Sequence, residues 1–196
     1  MTRMNKLDVL GILQEHGAIL DGHYVMPSGL HTERFVETAL VLQYPHLAQK
    51  LAKALSDRFL GDVDVVVSPA MGGVVLGQEV ARVRKCRAIF FERRGDAMGL
   101  RRSFRLEAGE RALIVEDVLM AGRTTAEVLS LLSAYRVKTV GVGALLDRST
   151  APLPLAVPVR TLVSMPIRVF PADACELCRR GIPTTGPGDG APPAGA

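Results

Sequence analysis

Tryptophan is absent from the 196 residues, tyrosine occurs three times and cysteine three times. So few rings argue against a base-stacking nucleic-acid surface, and the basic residues are scattered with no aromatic interleaving. Three cysteines cannot form a disulfide framework. No apolar run reaches the roughly 18 residues that suggest a membrane span. The first residues also lack the charged start, apolar core and small-residue cleavage site of a signal peptide, so a cytoplasmic protein is expected. Excess charge of one sign is small. Lys and Arg number 24 against 20 Asp and Glu, a net charge of +4. A polyanionic small molecule accounts for a local basic cluster more simply than nucleic acid does.

The chain is 48% hydrophobic and 22% charged, ordinary values for one globular domain with at most a small appendage. Its organising stretch is residues 111–127, RALIVEDVLMAGRTTAE. The β-branched run at 112–115 reads as a buried strand, and the carboxylates Glu116 and Asp117 stand at its end. A small-residue turn and a helix from about Thr125 follow. A strand feeding a helix through a tight turn leaves backbone N–H groups and a positive dipole end, which together seat a phosphate. The carboxylates would repel a phosphate but suit the vicinal hydroxyls of a sugar. A ribose 5-phosphate satisfies both halves.

Around this stretch the pattern alternates. Residues 2–17 have helical spacing and stop at Gly17. Asp21-Gly22 predicts a hairpin turn between strands at 18–20 and 23–26, Pro27-Ser28-Gly29 a second turn, and 32–38 a further strand. These form a small β-rich appendage. Helices are expected over 45–59 and 74–83, and strands at 65–67, 88–91, 137–146 and 159–165. The glycine-rich turn Ala70-Met71-Gly72-Gly73 follows a parallel strand, at the ligand-facing edge of such a sheet. A glycine-broken segment from Arg93 to Arg102 carries Arg93, Arg94, Arg101 and Arg102 and has the length of a lid. Residues 183–196, rich in Pro, Gly and Ala, are expected to be disordered. The domain reading is therefore 1–45 for helix and appendage, 46–170 for the α/β core, 171–182 for a cysteine segment and 183–196 for a tail. Cys175-x-x-Cys178 has the spacing of half a zinc site, yet a tetrahedral site needs four ligands and no second pair exists. Unligated surface thiols are the expectation.

VEDVLMAGRTT resembles the phosphoribosyl-pyrophosphate (PRPP) signature of the type I phosphoribosyltransferases: strand, acid pair, two apolar residues and a threonine-glycine turn. Met120-Ala121 stands where two threonines are usual, and Arg123 replaces the second glycine and adds a cation. The resemblance runs from about residue 5 to 182. It implies an α/β fold with a mostly parallel sheet flanked by helices and an N-terminal β-rich hood. It implies PRPP binding by Glu116, Asp117, Val118, Leu119, Met120, Ala121, Gly122, Arg123, Thr124 and Thr125, with Ala70, Met71, Gly72 and Gly73 at the pyrophosphate.

Ser28, Phe35, Met120 and Arg148 fall where orotate-specific members contact the base, Arg148 pairing with its carboxylate. That implies transfer of phosphoribose from PRPP to orotate, with Mg2+ held indirectly by Asp117 through water, and a homodimer. Glu116, Asp117, Arg93, Arg101 and Arg102 are the implied catalytic residues, the arginines standing where the family uses lysine and histidine. Two rivals share the signature: a purine phosphoribosyltransferase, and a non-catalytic PRPP-sensing regulator. Such a regulator normally carries a nucleic-acid-binding surface, and no helix-turn-helix pattern precedes residue 20.

Overall fold

Val65–Pro69 (β3) is buried at every position, the mark of a strand covered by helices on both faces of a parallel sheet. The computed structural model describes residues 4–186. In it, β3 lies in a six-stranded sheet with Arg87–Arg94 (β4), Ala97–Leu100 (β5), Arg111–Leu119 (β6), Lys138–Asp147 (β7) and Val159–Ser164 (β8). The order is β5-β4-β3-β6-β7-β8, and only β5 runs antiparallel to its neighbour. Lys6–Glu15 (α1), Pro45–Ser56 (α3) and Gly72–Arg84 (α4) cover one face, while Arg123–Ala134 (α5) covers the other. A single helical turn, Ala39–Leu42 (α2), precedes α3.

The amphipathic spacing of α3 explains its place. Leu47, Ala48, Leu51, Ala52 and Leu55 form one buried stripe, each large side chain contributing roughly 1.5–3 kcal/mol. Alternation along β6 divides the core. Leu113 and Val115 face the α3–α4 side, whereas Ala112 and Ile114 face α5 with Val128 and Leu132.

From β3 the chain moves outward to β4 on one side, then returns to begin β6 on the other. The strand order therefore reverses between β3 and β6, and the carboxyl ends of those strands open a crevice, the usual ligand site of open α/β sheets. No helix among the described residues is long and apolar enough to cross a membrane.

The hood is a two-stranded antiparallel ribbon, Ile19–Val25 (β1) and His31–Val36 (β2). Asp21-Gly22 is not the turn its sequence suggests. It lies within β1, where the register shifts between Asp21 and Tyr24, so the extra residue is absorbed as a bulge. The reversal is made by Pro27-Ser28-Gly29, closed by Met26 N–H donating to Leu30 O at 2.8 Å. The tail then flanks this ribbon. Phe170 pairs with His31 on the outer side of β2, and Thr185 bridges to Tyr24 beside β1.

Two expectations change as a result. Thr185 N–H donates to His23 O at 2.7 Å, so the expected disorder does not begin at 183; residues 187–196 lie outside the described residues. Cys175, within the tail, is buried rather than a surface thiol, while Cys178 lies at the surface. Glu176–Arg179 (α6) is a single turn joining them.

Candidate active site

Glu116 and Asp117 are consecutive on a strand, so their side chains leave the sheet on opposite faces. Glu116 is buried, and Thr125 Oγ1 at the start of α5 donates to its Oε1 at 2.9 Å. Burial pushes the Glu116 carboxyl up to about 8, with nearby Asp117 adding to the rise and the Thr125 hydroxyl opposing it. Asp117 turns the other way, where Thr38 Oγ1 donates to its Oδ2 at 2.6 Å. A Cβ on Gly72 would stand 2.5 Å from Asp117 Oδ1, so only glycine lets the β3–α4 turn approach this carboxylate. The two acids thus serve different surroundings: a dry one under α5, and a half-open one against the Gly72 backbone.

A cavity of about 650 Å3 opens between these elements. Its floor is the β6–α5 turn, residues 118–125, with Glu116 beneath. Gly122 takes φ +71, and a Cβ there would stand 3.3 Å from Leu153, so the turn depends on glycine. Thr124 and the first N–H groups of α5 face the cavity at the positive end of the helix. The β3–α4 turn contributes Ala70 and Gly72, the hood turn contributes Pro27 and Ser28, and the end of β7 contributes Arg148.

Arg148 is buried, and its Nη2 donates to Thr32 Oγ1 of β2 at 3.4 Å. Burial lowers its pKa from the ordinary guanidinium value. Among the described residues no acidic partner bonds it, so a buried cation faces the cavity without a counter-ion. Such an arrangement selects an anionic ligand group.

Most of the residues expected at the site meet here. Ala70, Gly72, Glu116, Val118 to Thr125, Ser28 and Arg148 all line the cavity. Asp117, Met71 and Gly73 are not among its lining residues. Phe35 does not reach it: on β2 its ring packs on Tyr24, with centroids 5.6 Å apart. The arginine segment is also elsewhere. It forms the β4–β5 hairpin, not an open loop, and Arg93, Arg94, Arg101 and Arg102 border a separate cleft. Arg93 pairs with Glu127 of α5, and Arg102 grips Glu92 bidentately at 2.8 and 2.9 Å. Arg101 Nε is buried without a partner, and Arg102 and Ser103 both hold φ of +58. Thr32 and Thr38 were not singled out from sequence. Each meets its partner more than 75 residues away, and no local pattern marks a threonine for that task.

The divalent-cation question turns on the oxygen donors. Magnesium is held by one or two carboxylates with retained waters and substrate phosphates. Asp117 fits: it is half-exposed, beside the Gly72 backbone, with Oδ1 not taken by Thr38. Glu116 is held towards its neutral form and bonded to Thr125, so it is poorly suited as a ligand.

Comparison with known proteins adds the remaining findings. Residues 40–176 match the family described as "Phosphoribosyl transferase domain". The chain is 40% identical over 186 residues to the orotate phosphoribosyltransferase of Caldicellulosiruptor bescii, covering 94% of this chain and 98% of that one. It is 40% identical over 181 residues to the enzyme of that name from Thermotoga petrophila, covering 90% and 95%. Among solved structures, the Aeropyrum pernix orotate phosphoribosyltransferase superposes with a TM-score of 0.67 at 18% identity, over 80% of this chain and 93% of that one. An adenine phosphoribosyltransferase from Rhodothermus marinus reaches 0.64 at 22% identity, over 81% and 99%. The shared fold therefore does not choose a base; the sequence identity does.

Proposed function

Since the chain belongs to the phosphoribosyl transferase domain family, with the orotate phosphoribosyltransferases, we propose that its cavity binds PRPP along the β6–α5 turn and orotate against Arg148. The reaction transfers the 5-phosphoribosyl group of PRPP to orotate, giving orotidine 5′-phosphate and pyrophosphate in pyrimidine biosynthesis. The observation that carries the residue assignment is the buried Arg148 guanidinium, without an acidic partner among the described residues, lining the same cavity as a helix N-terminus.

In this reading the 5′-phosphate takes the N–H groups of the turn, that of Thr125 included, and the hydroxyl of Thr124, while the Thr125 hydroxyl stays with Glu116. Arg123 adds charge from the rim. The ribose lies over Glu116 and Asp117. Bond breaking at C1 builds positive charge on the sugar ring, and a fixed carboxylate nearby stabilises it. Asp117 supplies that charge, while Glu116 serves as a hydrogen-bonding partner for a ribose hydroxyl. Asp117 would also hold Mg2+ through water, and the ion would neutralise the pyrophosphate as it leaves. Ala70, Met71, Gly72 and Gly73 present backbone to the pyrophosphate. Arg148 holds the orotate carboxylate and directs the ring nitrogen at C1, with Ser28 and Met120 bounding the base. Phe35, remote from the cavity, is assigned no contact with orotate.

The Arg101 and Arg102 hairpin borders a different cleft of the same chain. A second copy presenting this hairpin to the cavity would bring the cations to pyrophosphate, which favours a homodimer. We propose a cytoplasmic location for the enzyme. Incubation with PRPP, magnesium and either orotate or adenine tests the reading, with base absorbance and pyrophosphate release followed together. Turnover with orotate alone is expected. Turnover with adenine, or none with either, would overturn it.

A further inference from the structure

One polar cluster lies outside the cavity and has no part in the transfer. His23, His31, Cys175 and Cys178 converge so that their ligand atoms all lie within 4.8 Å of one another. The two histidines are brought together by the ribbon. With Tyr24 opposite Thr32 and Val25 opposite His31, His23 and His31 are diagonal neighbours on one face. The cysteines arrive from the tail, which is anchored on both sides: Phe170 pairs with His31, and Thr185 with the backbone around Tyr24. The segment between these anchors arches over the ribbon and lowers both thiols onto the imidazoles.

The hydrogen bonding fixes what the cluster presents. His23 Nδ1 lies 2.7 Å from Ile182 O, and a carbonyl only accepts, so Nδ1 carries the proton. In the neutral ring Nε2 then offers a lone pair. That atom is 2.8 Å from His31 Nδ1, 3.5 Å from Cys175 Sγ and 3.7 Å from Cys178 Sγ. Cys178 Sγ is 3.3 Å from His31 Nδ1. His23, His31 and Cys175 are buried, and among the described residues no carboxylate belongs to the cluster.

We propose that His23 Nε2, His31 Nδ1, Cys175 Sγ and Cys178 Sγ form a tetrahedral zinc site that fastens the C-terminal tail to the hood.

Two sulfurs and two imidazole nitrogens are a donor set that zinc takes, and one that hard cations such as magnesium do not. Zinc at about 2.3 Å from sulfur and about 2.0 Å from nitrogen requires neighbouring ligands roughly 3.3–3.8 Å apart. The three sulfur–nitrogen distances of 3.5, 3.7 and 3.3 Å are already of that size, and the nitrogen pair at 2.8 Å needs to widen by about half an ångström. Binding releases two thiol protons; the two thiolates balance the dication, and the imidazoles stay neutral. The Ile182 carbonyl holds the His23 ring in the ligating tautomer, the outer support that zinc-bound histidines usually have. All four positions are filled by protein, so the site is structural and leaves no place for substrate. Through β2 it reaches the cavity, because Thr32, next to His31, is the residue bonded to Arg148.

The untagged full-length protein, purified without chelator, is assayed for metal by mass spectrometry. About one zinc per chain is expected. Cys175→Ser and Cys178→Ser are each expected to fall below about a tenth of that, while Cys86→Ser retains it. A ligand variant can fail to fold, so the wild-type protein is also exchanged with cobalt(II). Intense visible bands and a thiolate-to-metal charge-transfer band are expected, with a melting temperature that drops on adding a strong chelator. Wild-type protein from zinc-supplemented medium that holds no stoichiometric zinc and gives only the pale spectrum of octahedral cobalt would overturn the proposal. So would a Cys175–Cys178 disulfide in the intact protein.

Discussion

The β6–α5 corner and the hood corner both line one cavity, and they are built in opposite ways. At the first, residues 116–125 supply both acids, the turn and the helix N-terminus, so the parts that would hold phosphoribose are set by one local stretch. At the second, Arg148 comes from β7 and its partner Thr32 from β2, while the tail that buttresses β2 is pinned near residues 170 and 185. The contiguous corner can keep its shape through a single strand–turn–helix. The assembled corner depends on long-range pairing between β7, the hood ribbon and the tail, so its shape rests on contacts between segments distant in sequence. In the proposed reading, specificity for the base rests on the assembled corner.

The largest effect should come from the contiguous corner. In the proposed reading Asp117→Asn removes a charge that stabilises the developing ribosyl cation, and it should lower kcat by about 100-fold or more. A variant within a few-fold of wild type in steady-state assays would make Asp117 a structural partner of Thr38.

At the assembled corner, Arg148→Ala leaves the orotate carboxylate without its buried partner. KM for orotate should rise by about 30-fold or more, with KM for PRPP nearly unchanged. Equal losses for both substrates would erase the distinction between the two ends.

The hairpin lies outside both corners of its own chain. Arg101→Ala with Arg102→Ala should lower kcat/KM for PRPP by about tenfold and flatten its salt dependence. Full activity of the double variant would make the Glu92–Arg102 pair a surface ion pair and nothing more.

A smaller effect concerns Glu116. Folded, it holds its proton to about 8, whereas unfolded it ionises near 4.5. Between these values the unfolded state binds fewer protons, so this group makes stability fall as pH rises through that window. Glu116→Gln does not titrate. Its melting temperature relative to wild type should therefore improve by several degrees from about pH 5 to about pH 8. A constant difference would mean that Glu116 ionises normally.

The same contrast explains what could be read from the sequence. The strands β3, β6 and β7 announce themselves as β-branched runs, and the acid pair with its glycine turn is one uninterrupted word. The hood resisted reading because tertiary pairing overrode a local signal. Asp21-Gly22 is a good turn dipeptide, yet β1 continues through it because β2 and Thr185 pair on either side. The resemblance puts Phe35 at the base, but its ring packs on Tyr24 of the neighbouring strand instead. The cysteine pair looked incomplete because its companions are histidines about 150 residues away, joined only when the tail folds back. The arginine segment was read as an open lid, and its pairing as β4–β5 depended on a register that composition does not encode.

The division of the cavity is tested most directly by calorimetric titration of PRPP with magnesium, and separately of orotate, into Asp117→Asn and Arg148→Ala. Orotate is titrated in the presence of pyrophosphate and magnesium, and each variant is first shown to melt cooperatively. A crossed pattern is predicted: Asp117→Asn weakens PRPP and spares orotate, while Arg148→Ala weakens orotate and spares PRPP. Parallel loss of both ligands in Arg148→Ala, or undiminished orotate binding, would contradict the assignment of Arg148 to the base.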